Sequence, residues 1–197
     1  MEIFTKDEVK KLVSWNKRSR KFLDVRDNLI ISFLLETGCR NHELSYLKES
    51  DIHDGFVYFK VTKNSKPRIV PISKILEKQM RRYNRIKLEY FKNLKKEDAI
   101  ESFYILSKSG NRMWQQNIGQ VVDRICKDCN IPKHKSYPHN FRHTHAVMML
   151  KNTGNVHLVS KLLGYCNLSI TEEYLRGLTQ DDVIEMVKGN SILENLR

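Results

Sequence analysis

Three kinds of side chain able to handle a phosphate lie close together in the last third of the chain. His139 and Arg142 form a His-x-x-Arg pair, His143 and His145 follow in a helical pattern, and Tyr174 lies further on. An arginine offers a planar fork of donors to phosphate oxygens, a histidine exchanges protons near neutral pH, and a tyrosine hydroxyl can be made a nucleophile. The combination suggests chemistry on a phosphate ester. His139 and His143 also stand one helical turn apart, the spacing of two zinc ligands. No further ligand is placed to complete such a site, so no metal is expected.

Several elements must hold these groups in place. Thr5 and Glu8 form a capping box that opens a first helix, with Val9, Leu12 and Val13 on one face. A second helix, about 24–36, is apolar nearly all round and reads as a buried core helix that ends at Gly38. Arg40 follows at once, ahead of a short helix that carries Glu43, Leu44 and Leu47. Segments 56–61 and 68–72 read as the two strands of a hairpin, with lysines at its tip. Ser73 caps a long basic helix, and 92–98 reads as a polar linker. A short strand is expected at 103–106, and a helix with apolar spacing through Ile118, Val121, Val122 and Ile125 comes next. Helical faces then stop near Gly154 and at Gly164, and capping boxes at Ser169 and Thr179 open two last helices. The fold class predicted is mainly α-helical with a small antiparallel β-sheet (α+β), as one domain.

At 197 residues the chain can bury a substantial core. No apolar run approaches the roughly 18 residues of a membrane span, and no secretory signal is visible, so neither a membrane nor an export role is expected. The charge is more telling. Lys and Arg number 35 against 23 Asp and Glu, a net charge of +12, and such an excess usually meets polyanions, nucleic acid before membrane because the cations are spread over several elements. Cys126 and Cys129 form a Cys-x-x-Cys inside a helical pattern with no second pair to complete a zinc site. The four cysteines therefore read as small thiols in a reducing cytoplasm.

Taken in order, four boxes closely resemble the catalytic domain of the tyrosine recombinases, the phage integrase family. They are TGCRNHEL (37–44), TKNSKPRIVPI (62–72), PHNFRHTHA (138–146) and LLGYCNLSITEEY (162–174). Each box alone is a weak signal, but four in order at workable spacing are a strong one. The resemblance implies catalytic roles for Arg40, Lys63, His139, Arg142 and Tyr165, with Tyr174 as nucleophile. Lys63 is placed ahead of its neighbour Lys66 by alignment of its box. It further implies that Glu43 orients an arginine or a histidine, that His143 packs within its box, and that Lys66, Arg68 and Lys135 contact DNA. His145 looks like a local substitution.

The implied reaction is a transesterification that needs no ATP and no cofactor. Tyr174 would attack a DNA phosphodiester, giving a 3′-phosphotyrosine and a free 5′-hydroxyl. A free tyrosine has a pKa of about 10, so on the order of one in a thousand is ionised at neutral pH, and the phenol needs a proton acceptor. Tyr165 departs from the family, which usually has histidine or tryptophan there, nine residues before the nucleophile. It can pack and give one hydrogen bond but carries no positive charge, so its role is expected to be weakened. The resemblance also implies double-stranded DNA as partner, a homo-tetramer on paired sites and a monomer or weak dimer when free, in the cytoplasm on the nucleoid. Residues 1–176 would form the catalytic domain and 177–197 a tail helix that docks on a neighbouring subunit. The N-terminal DNA-clamping domain of relatives is not expected in this chain. Two other readings stay open: a DNA-binding relative with weakened catalysis, and a type IB topoisomerase-like activity.

Overall fold

The computed structural model describes residues 2–60, 67–96 and 102–164. Helix α1 (Lys6–Ser14) is opened by Thr5, whose hydroxyl accepts from the Glu8 N–H (3.2 Å) while the Glu8 carboxylate accepts from the Thr5 N–H (2.7 Å). Helix α2 (Phe22–Thr37) is buried around almost its whole circumference. Its buried charged residues and Asn28 survive there because each has a partner. Arg26 donates to Asp27 (2.7 Å) and to the Leu106 carbonyl (3.3 Å), Arg124 also pairs with Asp27, and the Asn28 amide donates to the carbonyls of Val13 and Trp15.

The short α3 (Asn41–Tyr46) follows. A single 3₁₀ turn at Glu49–Asp51 then leads into a three-stranded antiparallel sheet, ordered β1 (Ile52–His53), β2 (Phe56–Phe59), β3 (Arg68–Pro71). Val57 faces Val70 across β2 and β3, and the alternating burial of both strands turns one face into the core. Helix α4 (Lys74–Asn93) is capped by Ser73 and packs along α2. It runs opposite to α2, because the Ser73 N–H reaches Glu36 near the end of α2 while Phe22, at the start of α2, stacks on Tyr90 (ring centroids 4.4 Å apart). Helices α5 (Gln115–Asp128), α6 (Pro138–Thr153) and α7 (Val156–Leu163) complete the described fold.

The expected strand at 103–106 is a correction. This segment makes only isolated bridges, Lys48 with Phe103 and Leu106 with Arg112. Its backbone bonds go to irregular neighbours instead: Tyr104 N–H to the Leu47 carbonyl (2.7 Å) and Met113 N–H to the Ile105 carbonyl (3.2 Å). The expected linker also begins later, since α4 continues to Asn93. The boxes expected at Ser169 and Thr179, and the tail helix, lie outside the described residues. No helix among the described residues is long and apolar enough to cross a membrane.

Candidate active site

Arg142 is the largest fully buried side chain among the described residues, at 1% exposure. Its guanidinium donates to the Gly38 carbonyl and to the Leu163 carbonyl, both at 2.7 Å. These carbonyls end α2 and α7, where unpaired acceptors and the negative end of the helix dipole favour a cation. Both helices stop in a left-handed glycine, Gly38 (φ 59°) and Gly164 (φ 70°). At Gly38 the need is double: an added Cβ would lie 2.6 Å from the His145 ring and 2.8 Å from Leu163. His145, which looked like a local substitution, is thus packed on the turn that presents Arg40, and its Nδ1 lies 2.9 Å from the Leu35 carbonyl. The sequence held no signal for this contact.

Arg40 begins α3 in extended conformation. Glu43 holds it twice: one carboxylate oxygen accepts from the Arg40 backbone N–H at 2.8 Å, and the other lies 3.4 Å from its guanidinium. Arg68 grips the same carboxylate through two bonds, at 2.8 and 2.7 Å. Burial alone would raise the Glu43 pKa, but Arg68, the Arg40 N–H and the nearby charge of Arg142 outweigh it and lower the pKa to about 2. The carboxylate is therefore ionised throughout the neutral range and ties β3 to the start of α3.

Two residues expected to contact DNA are engaged in ion pairs within the protein. Arg68 is only 6% exposed, with its guanidinium over the Phe59 ring and its fork committed to Glu43, so it braces Arg40 from within. Lys135 has a side chain 12% exposed and donates to both oxygens of Glu8 at 3.2 and 3.3 Å, tying the entry of α6 to α1. Neither presents a cation to an outside partner.

His139 sits in the first turn of α6, just after Pro138, and its ring packs edge-on against His143 at 4.1 Å. Partial burial, then the charges of Arg142 and Arg40, lower the His139 pKa. Burial and the same neighbourhood lower that of His143 to about 4. Both rings are neutral at physiological pH, so His139 is poised to accept a proton. Arg40, His139 and Arg142 line one small cleft of about 130 Å³, together with Cys39, Asn41, His42 and Pro138. That is far below the roughly 300–1,000 Å³ of a typical small-molecule site and suits a single phosphate group at the end of a larger ligand. The first turn of α6 borders the cleft and adds the positive end of its dipole. Cys39 is no rival nucleophile, because burial, with Glu43 adding to it, pushes its thiol up to about 12.

Lys63, Lys66, Tyr165 and Tyr174 lie outside the described residues. Of the six expected catalytic groups, the structure thus describes three, and it brings these three together.

Residues 2–180 match the phage integrase family. The tyrosine recombinase XerA of Pyrococcus furiosus is 31% identical over 195 residues, which cover 98% of this chain and 63% of that protein. The tyrosine recombinase XerD of Oceanobacillus iheyensis is 30% identical over 176 residues, covering 88% of this chain and 57% of that protein. The crystal structure of XerA recombinase superposes with a TM-score of 0.76 at 25% identity, covering 97% of this chain and 64% of that one. The pre-cleavage complex of XerH site-specific recombinase bound to its difH substrate shares the fold at 20% identity, with a TM-score of 0.73 over 88% of this chain and 49% of that one. This chain therefore spans about three fifths of the length of the curated relatives it matches.

Proposed function

The chain belongs to the phage integrase family of tyrosine recombinases, and from that premise we propose that it is the catalytic part of a site-specific DNA recombinase that cuts and rejoins double-stranded DNA. The observation that carries the proposal is the meeting of Arg40, Arg142 and a neutral His139 at one phosphate-sized cleft. In the first step Tyr174 attacks the phosphorus. Its phenolic proton passes to a base, for which His139 is the candidate, as the new O–P bond forms. The bond to the 5′-oxygen breaks, and Lys63 supplies the proton that lets this oxygen leave as a hydroxyl. Negative charge grows on the non-bridging oxygens meanwhile, and the positive charges of Arg40 and Arg142, which line the cleft, offset it from positions fixed before DNA arrives. Removing one such preorganised donor in other enzymes costs roughly 10²–10³ in rate. The reverse attack by a partner strand's 5′-hydroxyl restores the diester and frees Tyr174. Bond energy is conserved in the phosphotyrosine, so the cycle consumes no ATP.

Tyr165 stands near this chemistry in the chain, and as a neutral donor in place of the family's usual histidine or tryptophan it would support the transition state more weakly. In the working assembly four copies bind two paired sites. The free chain is a monomer or weak dimer, and the tail 177–197 docks on a neighbour. Nicked suicide substrates carrying the target site test the proposal. Covalent protein–DNA adducts should form with the native chain and disappear in Tyr174→Phe, and no adduct under any condition would remove the enzymatic reading in favour of a DNA-binding role. Relaxation of supercoils without strand exchange would point to the topoisomerase-like activity. Deleting the residues after Arg176 should impair strand exchange far more than adduct formation.

A further inference from the structure

We propose that this protein holds a second segment of duplex DNA, away from the catalytic cleft, in a basic groove between α4 and the α1–α2 turn. Helix α4 exposes Lys74, Lys78, Arg81, Arg85 and Lys92. Steps of three, four and seven residues place these cations along one helix face, a stripe about 27 Å long at roughly 1.5 Å per residue. The facing wall is the α1–α2 turn, where Arg18, Arg20 and Lys21 are exposed.

The groove is built, because Arg82 fixes one wall to the other. Its guanidinium donates to the carbonyl of Lys17 at 2.7 Å and to that of Ser19. Ser19 in turn donates to Asp24 (2.6 Å) and accepts from the Lys21 N–H (3.2 Å). With the backbone of the turn so held, a cleft of about 880 Å³ opens over the stacked rings of Phe22 and Tyr90. A second lobe of about 790 Å³ continues it past Lys78 toward Lys74, and Arg82 and Arg85 line both.

Cations outnumber carboxylates in it: Arg18, Arg20, Lys21, Arg82 and Arg85 line the larger lobe against Asp24 and Glu89, and Glu77 pairs with Arg81 (3.6 Å). Among the described residues no carboxylate forms an ion pair with Arg18, Arg20, Lys21, Lys78 or Arg85. The excess of cations repels itself in the free protein, and a bound polyanion offsets that repulsion. Guanidinium forks on both walls suit phosphate oxygens. The length of the stripe matches about eight base pairs of duplex, whose charges recur every roughly 1.7 Å. A flat bilayer cannot fill a concave groove with cations on both walls, and the exposed Leu23, Ile75 and Leu88 stand singly without forming an insertion face.

This groove shares no residue with the catalytic cleft. Phe22 floors it at the start of α2 and Arg40 follows the other end, so a helix of about 24 Å separates the two. The DNA at each is a different segment. The choice of DNA among polyanions rests on the recombinase reading, but the two fail separately in the following experiment.

The full chain and its Arg18→Ala/Lys21→Ala/Arg85→Ala variant are titrated by fluorescence anisotropy, at several salt concentrations, against a short duplex limited to the cleavage site and a long duplex with flanks. The variant should bind the long duplex at least about tenfold more weakly, with a salt slope smaller by about 2–3, since each phosphate contact contributes about 0.9. Binding to the short duplex and adduct formation on it should not change. A second variant, Arg20→Ala/Lys78→Ala/Lys92→Ala, should reproduce the loss, which guards against a folding defect in the first. The proposal is overturned by unchanged slopes on both duplexes, by equal losses on both, or by loss of binding to phosphatidylserine vesicles with no change toward DNA. Absence of adducts from the native chain, with the slopes behaving as described, would remove the catalytic reading and leave the groove standing.

Discussion

The two ends of α2 treat positive charge in opposite ways. At its C-terminal end Arg142 and Arg68 are buried, and each is held by two short bonds to groups that cannot move away. At its N-terminal end Arg18, Arg20 and Lys21 stand in solvent, with no carboxylate paired to them among the described residues. Burying a cation costs several kcal/mol unless it is fully bonded, but a buried and bonded charge already points the right way when a ligand arrives. An exposed cation costs little and adapts to its partner, but salt screens it within about 10 Å at 0.1 M. The first arrangement suits a transition state and the second a phosphate backbone. One helix thus separates chemistry from grip.

The comparison breaks most visibly at Glu43. Glu43→Ala leaves the Arg68 guanidinium buried without its carboxylate, which typically costs about 3–5 kcal/mol. In a domain of this size that corresponds to a fall in Tm of roughly 6–20 °C, measurable by calorimetry. A double variant, Glu43→Leu/Arg68→Met, removes both charges and should recover most of that loss. Adduct formation should stay impaired in the double variant, because Arg40 has lost the carboxylate that holds its backbone and its guanidinium. Full recovery of both stability and adducts would show that the pair braces the fold and not Arg40.

How much of this was legible beforehand depends on whether the signal is local. Thr5, Ser73, Gly38, Gly154 and Gly164 each act on their own few residues, and the helix ends fall where those residues indicate. Arg40, His139 and Arg142 could be named because their boxes are short. Arg68 was read as a DNA contact for a physical reason: a charged residue in a strand looks the same whether it faces solvent or a buried carboxylate. Only the pairing of β2 with β3 brings it to Glu43. His145 was invisible in the same way, since its partners, Leu35 and Gly38, lie on another helix. The cations of α4 were visible in the sequence only as those of a long basic helix. Their concave partner wall depends on Arg82 reaching the α1–α2 turn, a contact no periodicity reveals.

Acid sharpens the contrast next. The pKa of His143 is lowered from an ordinary 6.5 to about 4 in the folded chain, so the unfolded chain takes up a proton first as pH falls. Its contribution to stability is whole above about pH 6.5 and is lost progressively down to about pH 4. Glu43, lowered from 4.5 to about 2, keeps its contribution down to about pH 4.5 and loses it only below. Melting temperature should therefore decline in two stages, the first of them reduced in His143→Phe and its remainder owed to His139 and His145, whose pKa values burial also lowers. No histidine is among the residues that line the groove, so its salt-dependent DNA binding should be flat from pH 6.5 to pH 5, where the first stage is under way. Equal acid sensitivity at both ends of α2 would erase the distinction between them.

The smallest effect tests the distinction most directly, because its sign differs at the two ends. Arg85→Ala removes one exposed cation from a crowded like-charged face on a chain of net charge +12. Surface substitutions of this kind usually change stability by no more than about 0.5 kcal/mol, and here relief of repulsion pushes the change toward stabilisation. The salt slope for a flanked duplex should nevertheless fall by about 0.9, the share of a single phosphate. Melting curves and titrations on the same preparation give both numbers. At the buried end, removing a charge lowers stability whatever it does to DNA. At the exposed end, stability holds or rises while DNA is lost. A clear fall in Tm for Arg85→Ala would mean that the cation has a partner in the fold after all, and the groove would then belong to the same kind of structure as the catalytic cleft.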